Sequence, residues 1–483
     1  MLYTSTRNAA LRVTASQAIL QGISEDGGLF VPTEFPQADL ASLKELDYCA
    51  LVAEILSLYL TDYSKDFLLQ AATAAYGQGR FEGKTAQIVK LQQGLYSMEL
   101  WHGPTSAFKD YALQLMPRLL VEAKRINNET RTTKILVATS GDTGKAALEG
   151  YKDLPGISIA VFYPDHGTSE IQRLQMTTQQ GDNVAVFAVK GNFDDAQTGV
   201  KKVFTDAALA KELDQQHQHL TSANSINWGR LVPQIVYYFA GYFNLVKAKE
   251  IPLGETVDFC VPTGNFGDIL AGYYAKRMGL PVGRLLCASN ANNVLTDFGR
   301  TGVYDANRPF YKTASPSMDI LVSSNFERLL YHESEDSQMV AQLMQALAGG
   351  HRYEVPQSVY DKILANFGFA CTPEEACFAE IGEAFRSAHY LLDPHTAVAT
   401  AAARKAGGGP CVVLSTASPY KFSPTVLAAV GGKCTGDDFA DLAALEECTG
   451  TTAPAALRAL RQLPVRFSRV IEPAEIAAVA RTL

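Results

Sequence analysis

The sequence predicts an α/β fold with at least two regions of parallel sheet. Short apolar runs rich in β-branched residues alternate with helical patterns along most of the chain. Turns that contain glycine join several of these runs to the helical pattern that follows. Such alternation is typical of right-handed crossovers between parallel strands, with helices covering both faces of the sheet. The chain has 483 residues, of which 47% are hydrophobic and 19% are charged, and this composition is typical of a globular protein of several domains.

The predicted elements follow one another in a regular order. The residues before about position 95 show mainly helical patterns. The first sheet region has predicted strands at 134–140, 158–164 and 184–190, with helices that begin near Lys145, Ser169 and Asp194. The second region has predicted strands at 257–264, 284–289 and 411–417. The apolar stretch 235–246 is predicted to be a core helix, because a membrane span needs about 20 apolar residues. We expect three units: a mainly helical N-terminal segment (1–98), a smaller α/β domain (99–228) and a larger α/β domain with a C-terminal extension (229–483).

The composition argues against several classes of partner. A formal net charge of −8 disfavours nucleic acid and anionic membranes as partners. The eight cysteines form no Cys-x-x-Cys pair, and this usage favours a reducing, cytoplasmic location. The eight histidines and eight cysteines show no metal-ligand spacing, so no metal is expected. The first residues lead into GISEDGGLFVP without a cleavage-like break, which favours a folded N-terminus. The sequence does not fix the oligomeric state; a monomer is expected, with a dimer as the alternative.

The segment WHGPTSAFKDYALQLM (101–116) contains a candidate nucleophile, Lys109. Phe108 can exclude water from one side of this lysine, and Thr105 or Ser106 can cap the helical pattern that follows. A desolvated lysine loses proton affinity and becomes a better amine nucleophile, as Schiff-base chemistry requires. The alternative is a surface lysine beside an acid.

Three further motifs stand where a strand ends. Residues 140–144 (SGDTG) and 264–268 (GNFGD) each lead into a helix, whose N-terminus and backbone amides can bind an anion. Asp142 is a poor neighbour for an anion and can instead cap its helix. The hydroxyl of Ser415 or Thr416 follows the strand at 411–417, at the edge where open α/β sheets place ligand-binding groups. The alternative for each motif is a tight turn without a ligand. Neither standard nucleotide-phosphate fingerprint is present.

Together these residues resemble the threonine synthase family, in its long, Escherichia coli-like and fungal branch. The resemblance covers nearly the whole chain and rests on YTSTR (3–7), GISEDGGLFVP (22–32), HGPTSAFKD (102–110), ATSGDTG (138–144), RLQMTTQ (173–179), GNFDDAQ (191–197), SANSINWGRL (222–231), PTGNFGD (262–268), SPSMDILVSSNFERLLY (315–331), DPHTAVA (393–399) and STASPYKF (415–422). It implies pyridoxal 5'-phosphate (PLP) as cofactor and PLP fold type II, similar to the tryptophan synthase β chain. The expected architecture is two open parallel-sheet domains plus the mainly helical N-terminal segment.

The resemblance also implies roles for individual residues. Lys109 matches the catalytic lysine that carries the cofactor as a Schiff base. The expected cofactor-binding residues are Lys109, Gly264, Asn265, Phe266, Gly267, Asp268, Thr416 and Asp142. The expected substrate-binding residues are Ser140, Gly141, Thr143, Gly144, Asn224, Ser225, Asn227, Arg230 and Lys145. Many relatives have asparagine at the position of Asp268, so a side-chain contact there stays open. Arg173 is a further candidate for the substrate phosphate, His102 for packing near the cofactor or orienting Lys109, and His395 for supporting a loop.

The implied reaction is that of a carbon–oxygen lyase acting on phosphates. O-phospho-L-homoserine and water would give L-threonine and phosphate, the last step of threonine biosynthesis, by γ-elimination and β-replacement. Lys109 would move the Cα proton and later a Cβ proton, with PLP as the electron sink. One alternative is a related phospho-lyase that releases a 2-oxo acid and ammonia. The others are a non-catalytic ligand-binding relative and a nucleotide-binding module.

Overall fold

The structure is a computed structural model that describes residues 1–77, 79–166 and 168–483. The side chains at positions 193 and 194, within the 191–197 segment, lie outside the description. The strands are β1 (Tyr3–Ser5), β2 (Asn8–Val13), β3 (Phe30–Pro32), β4 (Gln87–Gln92), β5 (Leu95–Glu99), β6 (Thr132–Ala138), β7 (Ile157–Pro164), β8 (Val184–Val189), β9 (Gln218–Thr221), β10 (Val257–Pro262), β11 (Val282–Ser289), β12 (Val303–Asp305), β13 (Arg352–Glu354), β14 (Phe367–Cys371), β15 (Cys411–Ser415) and β16 (Val470–Ile471).

Helices separate most of these strands. The α-helices are α1 (Ala15–Gln21), α2 (Leu40–Leu43), α3 (Tyr48–Tyr59), α4 (Lys65–Tyr76), α5 (Lys109–Leu113), α6 (Met116–Ile126), α7 (Asp142–Tyr151), α8 (Glu170–Thr177), α9 (Phe193–Thr205), α10 (Ala207–Gln215), α11 (Trp228–Lys247), α12 (Gly267–Arg277), α13 (Val294–Thr301), α14 (Phe326–Ser334), α15 (Ser337–Gly350), α16 (Gln357–Asn366), α17 (Glu374–Ala388), α18 (Pro394–Ala406), α19 (Ser423–Ala429), α20 (Asp438–Thr449), α21 (Ala455–Arg458) and α22 (Ile476–Thr482). Short 3-10 helices lie at Pro316–Met318, Pro419–Phe422, Leu460–Gln462 and Pro473–Glu475. Among the described residues, no helix is long and apolar enough to cross a membrane.

Two sheets dominate the molecule. The larger sheet has the order β14-β11-β10-β15-β5-β4, in which only the edge strand β4 runs antiparallel to its neighbour. The smaller sheet has the order β16-β8-β7-β6-β9 and is parallel throughout. Two small antiparallel groups, β2-β1-β3 and β12-β13, complete the described sheets. The α/β prediction with two parallel regions is therefore confirmed, and all six predicted strands are present.

The predicted units 1–98, 99–228 and 229–483 remain a prediction, but the strands cross their boundaries. β4 and β5, which lie at the end of the first unit, belong to the larger sheet. β16, near the end of the third unit, pairs with β8 of the smaller sheet. The first 77 residues contain four helices together with the antiparallel sheet β2-β1-β3.

A short antiparallel bridge beside Lys109 joins the segments that follow β5 and β15, two neighbouring strands of the larger sheet. Phe108 donates its amide to the carbonyl of Thr416 at 2.8 Å, and Ser418 donates to the carbonyl of Ser106 at 3.1 Å. These bonds place the start of α5 directly against the chain that leaves β15. The lysine and the strand-end hydroxyl named from the sequence are therefore neighbours.

Gly150 in α7 sets how closely α7 can approach α5. A Cβ atom at this position would lie 1.8 Å from the carbonyl oxygen of Leu113 and 3.2 Å from Pro117. Because α5 begins with Lys109 and α7 begins with the SGDTG turn, this contact controls the distance between two parts of the predicted site.

We expect Gly150→Ala to lower the urea midpoint of unfolding, because the added methyl group forces the two helices apart at a cost of about 1–3 kcal/mol. The matched control is Gly349→Ala in α15, where a Cβ would meet nothing within 4 Å. That change is expected to raise the midpoint slightly, because alanine stabilises a helix by about 0.5–1 kcal/mol relative to glycine. Equal midpoints for the two variants would contradict this account of α5 and α7.

Candidate active site

Lys109 is the first residue of α5, and its side chain is only 11% exposed. Its Nζ lies 4.7 Å from the centre of the Phe108 ring and 3.9 Å from Oδ2 of Asp142. Burial lowers the pKa of Lys109; the charge of Asp142 opposes this shift, and the positive charges of Lys421 and Arg230 add to it. A lysine with a lowered pKa is more often a neutral amine, which is the nucleophilic form.

The carboxylate of Asp142 is the counter-ion of the site. Lys421 Nζ lies 2.6 Å from Oδ1 of Asp142, and Gln172 donates to the same oxygen at 2.9 Å. Burial opposes ionisation of this carboxyl, but the charges of Lys421 and Lys109 hold its pKa well below the usual range. Lys421 is fully buried and also donates to the carbonyl of Thr105 at 3.1 Å. Asp142 therefore acts as an ionised partner for two lysines, whereas the sequence suggested a helix cap.

Thr139 takes the capping role in the SGDTG turn. Its hydroxyl accepts hydrogen bonds from the amides of Gly141 and Gly144, both at 3.0 Å. These two amides are thus used within the turn, and the predicted substrate contacts of the two glycines cannot be made through them. Within the described chain, the amides of Asp142 and Thr143 make no hydrogen bond, so they are free to meet a ligand. Gly141 has φ 149°, a conformation that favours glycine.

The GNFGD loop (264–268) joins β10 to α12 and leaves its amides free. Phe266 has φ 62°, and α12 begins directly after it without a side-chain cap. In the described part of the protein, the amides of Gly267, Asp268 and Ile269 have no hydrogen-bond partner. Free amides at a helix N-terminus fit a phosphate group without a formal positive charge.

A covering segment, residues 315–325, pins the outer side of this loop. Ser323 donates its hydroxyl to the carbonyl of Gly264 at 2.6 Å, and Asn325 donates its amide to the carbonyl of Asn265 at 3.1 Å. A Cβ at Gly264 would lie 2.6 Å from the carbonyl oxygen of Ser317, so only glycine fits there. The loop carbonyls face the covering segment, which leaves its amides for a ligand.

Asp268 stands in the first turn of α12 with an unusual set of partners. Tyr237 and Tyr238 both donate to Oδ1, at 2.5 and 3.1 Å, while Oδ2 is buried without a hydrogen-bond partner among the described residues. Burial raises the pKa of Asp268 to about 7, against the opposing effects of the two tyrosines and Lys109.

Thr416 has a hydroxyl that makes no hydrogen bond within the described chain. Its amide donates to Thr396 Oγ1 at 3.2 Å, and Thr396 in turn donates to Asp393. Nδ1 of His395 lies 2.8 Å from the same carboxylate, and Nε2 accepts the amide of Ser317 at 3.1 Å. His395 therefore supports the covering segment, in agreement with its predicted role.

The three basic candidates for the substrate phosphate differ in their partners. Arg173 is partly exposed and pairs with Glu170 at 2.6 Å. Lys145 lies 3.5 Å from Glu149. Arg230 is buried, has no acidic partner among the described residues, and leaves its Nε without a hydrogen bond. Burial lowers the pKa of Arg230 to about 10.

The polar candidates near Arg230 also differ in their hydrogen-bond partners. Asn227 accepts the amide of Gly229 at 2.8 Å and donates to the carbonyl of Ile19 at 2.9 Å, so its side chain caps α11 and is not available to the substrate. Ser225 accepts a hydrogen bond from Asn325 at 3.3 Å and lies beside the start of α12. The side chain of Asn224 makes no hydrogen bond with the described residues.

His102 lies in a buried cluster at the end of β5. Its Nε2 is 2.7 Å from Glu99, and its ring packs on Trp101 at 4.1 Å. Tyr390 donates to the other oxygen of Glu99 at 3.0 Å. These contacts hold His102 against the end of β5 and do not connect it to Lys109. In the ranges that the structure describes, no group of three or more His, Cys, Asp or Glu side chains is arranged to hold a metal ion.

The sequence reasoning missed four residues of the site: Gln172, Tyr237, Tyr238 and Lys421. The one available signal was the lysine inside STASPYKF, which follows a strand-end hydroxyl. Tyr237 and Tyr238 appear in the sequence only as part of an apolar helix.

A buried amine nucleophile beside a helix N-terminus with free amides defines a class: enzymes that hold a phosphorylated carbonyl cofactor on a lysine. The comparisons with known proteins agree with this class. Residues 2–76 match the family "Threonine synthase N terminus", residues 85–417 "Pyridoxal-phosphate dependent enzyme", and residues 396–482 "Threonine synthase, C-terminal". The chain belongs to the threonine synthase family of pyridoxal-phosphate dependent enzymes.

Individual relatives support the same assignment. Threonine synthase of Pseudomonas aeruginosa is 39% identical over 436 residues, which cover 88% of this chain and 90% of that protein. Threonine synthase-like 1 of Homo sapiens is 39% identical over 431 residues, but these cover 86% of this chain and only 58% of that protein. The crystal structure of PLP-bound threonine synthase from Brucella melitensis superimposes with a TM-score of 0.88 at 35% identity, covering 100% of this chain and 99% of that chain. The expected PLP fold type II is confirmed.

We expect Asp142→Asn to destabilise the protein strongly, because it leaves Lys421 buried without a carboxylate, a change that typically costs about 3–5 kcal/mol. The pKa of Lys109 should fall further, since Asp142 is the first charge that raises it. The urea midpoint of unfolding measures the first effect. Glu383→Gln is the matched control, because it breaks an exposed pair with Arg386 and should change the midpoint little. Similar midpoints for the two variants would contradict the importance of the buried pair.

Proposed function

We propose that the protein is a threonine synthase, which converts O-phospho-L-homoserine and water into L-threonine and phosphate with PLP held on Lys109. The observation that carries the proposal is the juxtaposition of a buried Lys109 of lowered pKa with a buried Arg230 that has no acidic partner among the described residues. Family membership supplies the cofactor class. A small phosphorylated amino acid is the substrate class that these charges suit.

The residues present fit the cofactor. Lys109 Nζ would hold it covalently, and the free amides at 267–269 would bind its phosphate. The unengaged hydroxyl of Thr416 would face the ring nitrogen, and the turn at 140–144 would face the substrate and the cofactor's 3-hydroxyl. When bound, PLP supplies an electron sink for charge that develops at carbon atoms of the substrate.

The protein's own groups then have separate tasks. Lys109 Nζ, once released, is the base that takes a proton from Cα of the substrate and later one from Cβ; its lowered pKa suits proton transfer near neutral pH. Asp142 keeps a fixed negative charge near this amine, held in place by Lys421. Arg230 binds the substrate phosphate and stabilises its charge as it leaves, with Ser225 and Asn224 as nearby polar groups. The burial of Lys109 limits the access of bulk water.

Replacement of the lysine tests the proposal directly. We expect Lys109→Ala to lose the visible absorbance of bound cofactor and to lower threonine formation by roughly 100- to 10,000-fold or more, since it removes the proton-transferring group. Borohydride reduction of the wild-type protein should leave a pyridoxyl group on Lys109, detected by peptide mass spectrometry.

Lys190→Ala, at a side chain that is 60% exposed, is the control and should keep full activity. A pyridoxyl group on another lysine, or an active Lys109→Ala variant, would refute the assignment. The product separates the synthase from the alternative phospho-lyase, because O-phosphohomoserine gives threonine in the first case and 2-oxobutyrate in the second.

Arg230→Gln should lower kcat/KM for O-phospho-L-homoserine by about 100-fold, since charged hydrogen bonds contribute up to about 3 kcal/mol. Arg173→Gln is the control, because Arg173 is partly exposed and paired with Glu170. Steady-state kinetics on both variants, with a thermal midpoint to verify folding, measure the difference. Equal losses for the two variants would remove Arg230 from the substrate site.

A further inference from the structure

The carboxyl group of Asp268 has one oxygen with two donors and one oxygen with none. The phenol of Tyr237 donates to Oδ1, and the phenol of Tyr238 lies within hydrogen-bond distance of both Oδ1 and the main-chain oxygen of Asp268. Oδ2 is buried and has no partner among the described residues, and the residue as a whole is only 8% exposed. A buried polar atom without a partner is costly, so this oxygen is expected to meet a ligand.

The position of Asp268 identifies the ligand atom. Asp268 is the second residue of α12, at the free amides that fit a phosphate. Phosphate oxygens accept hydrogen bonds, and a carboxylate beside them would add a second negative charge in a place with little water. A neutral carboxylic acid avoids this repulsion and has one proton to donate. Because Oδ1 already accepts from Tyr237 and lies within reach of Tyr238, the proton belongs on Oδ2.

The groups that face Asp268 are compatible with a neutral acid. The charged and titratable neighbours that act on it are Tyr237 and Tyr238 from α11 and Lys109 from α5. Burial is the dominant effect and raises the pKa of Asp268 to about 7, so a change of protonation falls near neutral pH. A phosphate dianion nearby would raise this pKa further, because it disfavours a second negative charge.

We propose that Asp268, as a neutral carboxylic acid, donates a hydrogen bond from Oδ2 to the phosphate of PLP and thereby makes cofactor retention dependent on pH. This inference rests on the proposed function, since it takes PLP to be the occupant of the loop. Binding then requires a protonated Asp268. Above the pKa that this carboxyl has in the cofactor-free protein, Asp268 must take up one proton whenever PLP binds. The affinity for PLP therefore falls as the pH rises.

The test compares wild type with Asp268→Asn, starting from the holoenzymes. Asparagine keeps an oxygen for the two tyrosines and presents a permanent N–H donor in place of Oδ2. The dissociation constant of PLP is measured by equilibrium dialysis between pH 6 and 9 (roughly the range around the Asp268 transition). The ratio of the wild-type constant to the variant constant cancels the titration of Lys109 and of the phosphate itself. We expect this ratio to be flat at low pH and to rise about tenfold per pH unit above neutrality.

A ratio that does not change with pH would overturn the inference. If both proteins retain PLP and the ratio is flat, only the role of Asp268 fails. If neither protein retains PLP, the proposed function fails with it. The 31P resonance of the bound phosphate gives a second readout, which should shift with pH in the wild type and stay fixed in Asp268→Asn.

Tyr237→Phe provides an arm that does not depend on the folding of Asp268→Asn. The hydrogen bond from Tyr237 lowers the pKa of Asp268, so its removal should move the pH at which PLP retention weakens to a higher value than in the wild type. A transition at an unchanged pH would overturn the inference. Infrared spectra of the holoenzyme should also show the carbonyl stretch of a protonated carboxyl group. In Tyr237→Phe this band should persist to a higher pH than in the wild type.

Discussion

The rest of the site depends on the ion pair between the buried carboxylate of Asp142 and Lys421. The carboxylate receives Lys421 from the chain that follows β15 and Gln172 from α8, and it lies within 3.9 Å of Lys109 at the start of α5. A buried ion pair adds little net stability, because desolvation of the two charges offsets their attraction. What the pair contributes is position: Lys421 also donates to the carbonyl of Thr105, so the segment before Lys109 is fixed against the segment after Thr416.

Residues of the N-terminal strands and of α14, far from the lysine, support the GNFGD loop. Arg7 makes a two-pronged ion pair with Glu327 of α14, and Thr6 donates to the same carboxylate at 2.6 Å. The neighbouring Arg328 is buried and donates to Asn325, which binds the carbonyl of Asn265. The N-terminal strands are thereby connected through α14 to the loop that fits the phosphate. A change at Arg7 would act on the cofactor site through this chain of contacts rather than by touching a ligand.

Local features of the site were predictable, and long-range ones were not. Lys109, the GNFGD loop and Thr416 each stand in a short segment whose turn, helix start or strand end can be recognised from neighbouring residues. The pairing of Asp142 with Lys421 joins residues far apart in the chain, and no periodic pattern marks it. The resemblance implies a substrate role for Asn227, and nothing local in the sequence shows that its Oδ1 instead accepts the amide of Gly229 while its Nδ2 donates to the carbonyl of Ile19. Strands β9 and β16 escaped prediction because β9 is polar and β16 has only two residues.

The pairing of β16 with β8 has a consequence for how the protein folds during its synthesis. A chain made from its N-terminus can assemble β6 to β9 long before residues 470–471 exist, so the edge of β8 stays uncovered until they are made. Lys134 is buried and donates to the carbonyls of Ala480 and Arg481, so these hydrogen bonds also form only after that part of the chain has been made. An uncovered edge of a parallel sheet can pair with strands of other chains. The nascent polypeptide therefore passes through an interval in which the edge of β8 is open to such pairing, until residues 470–471 cover it.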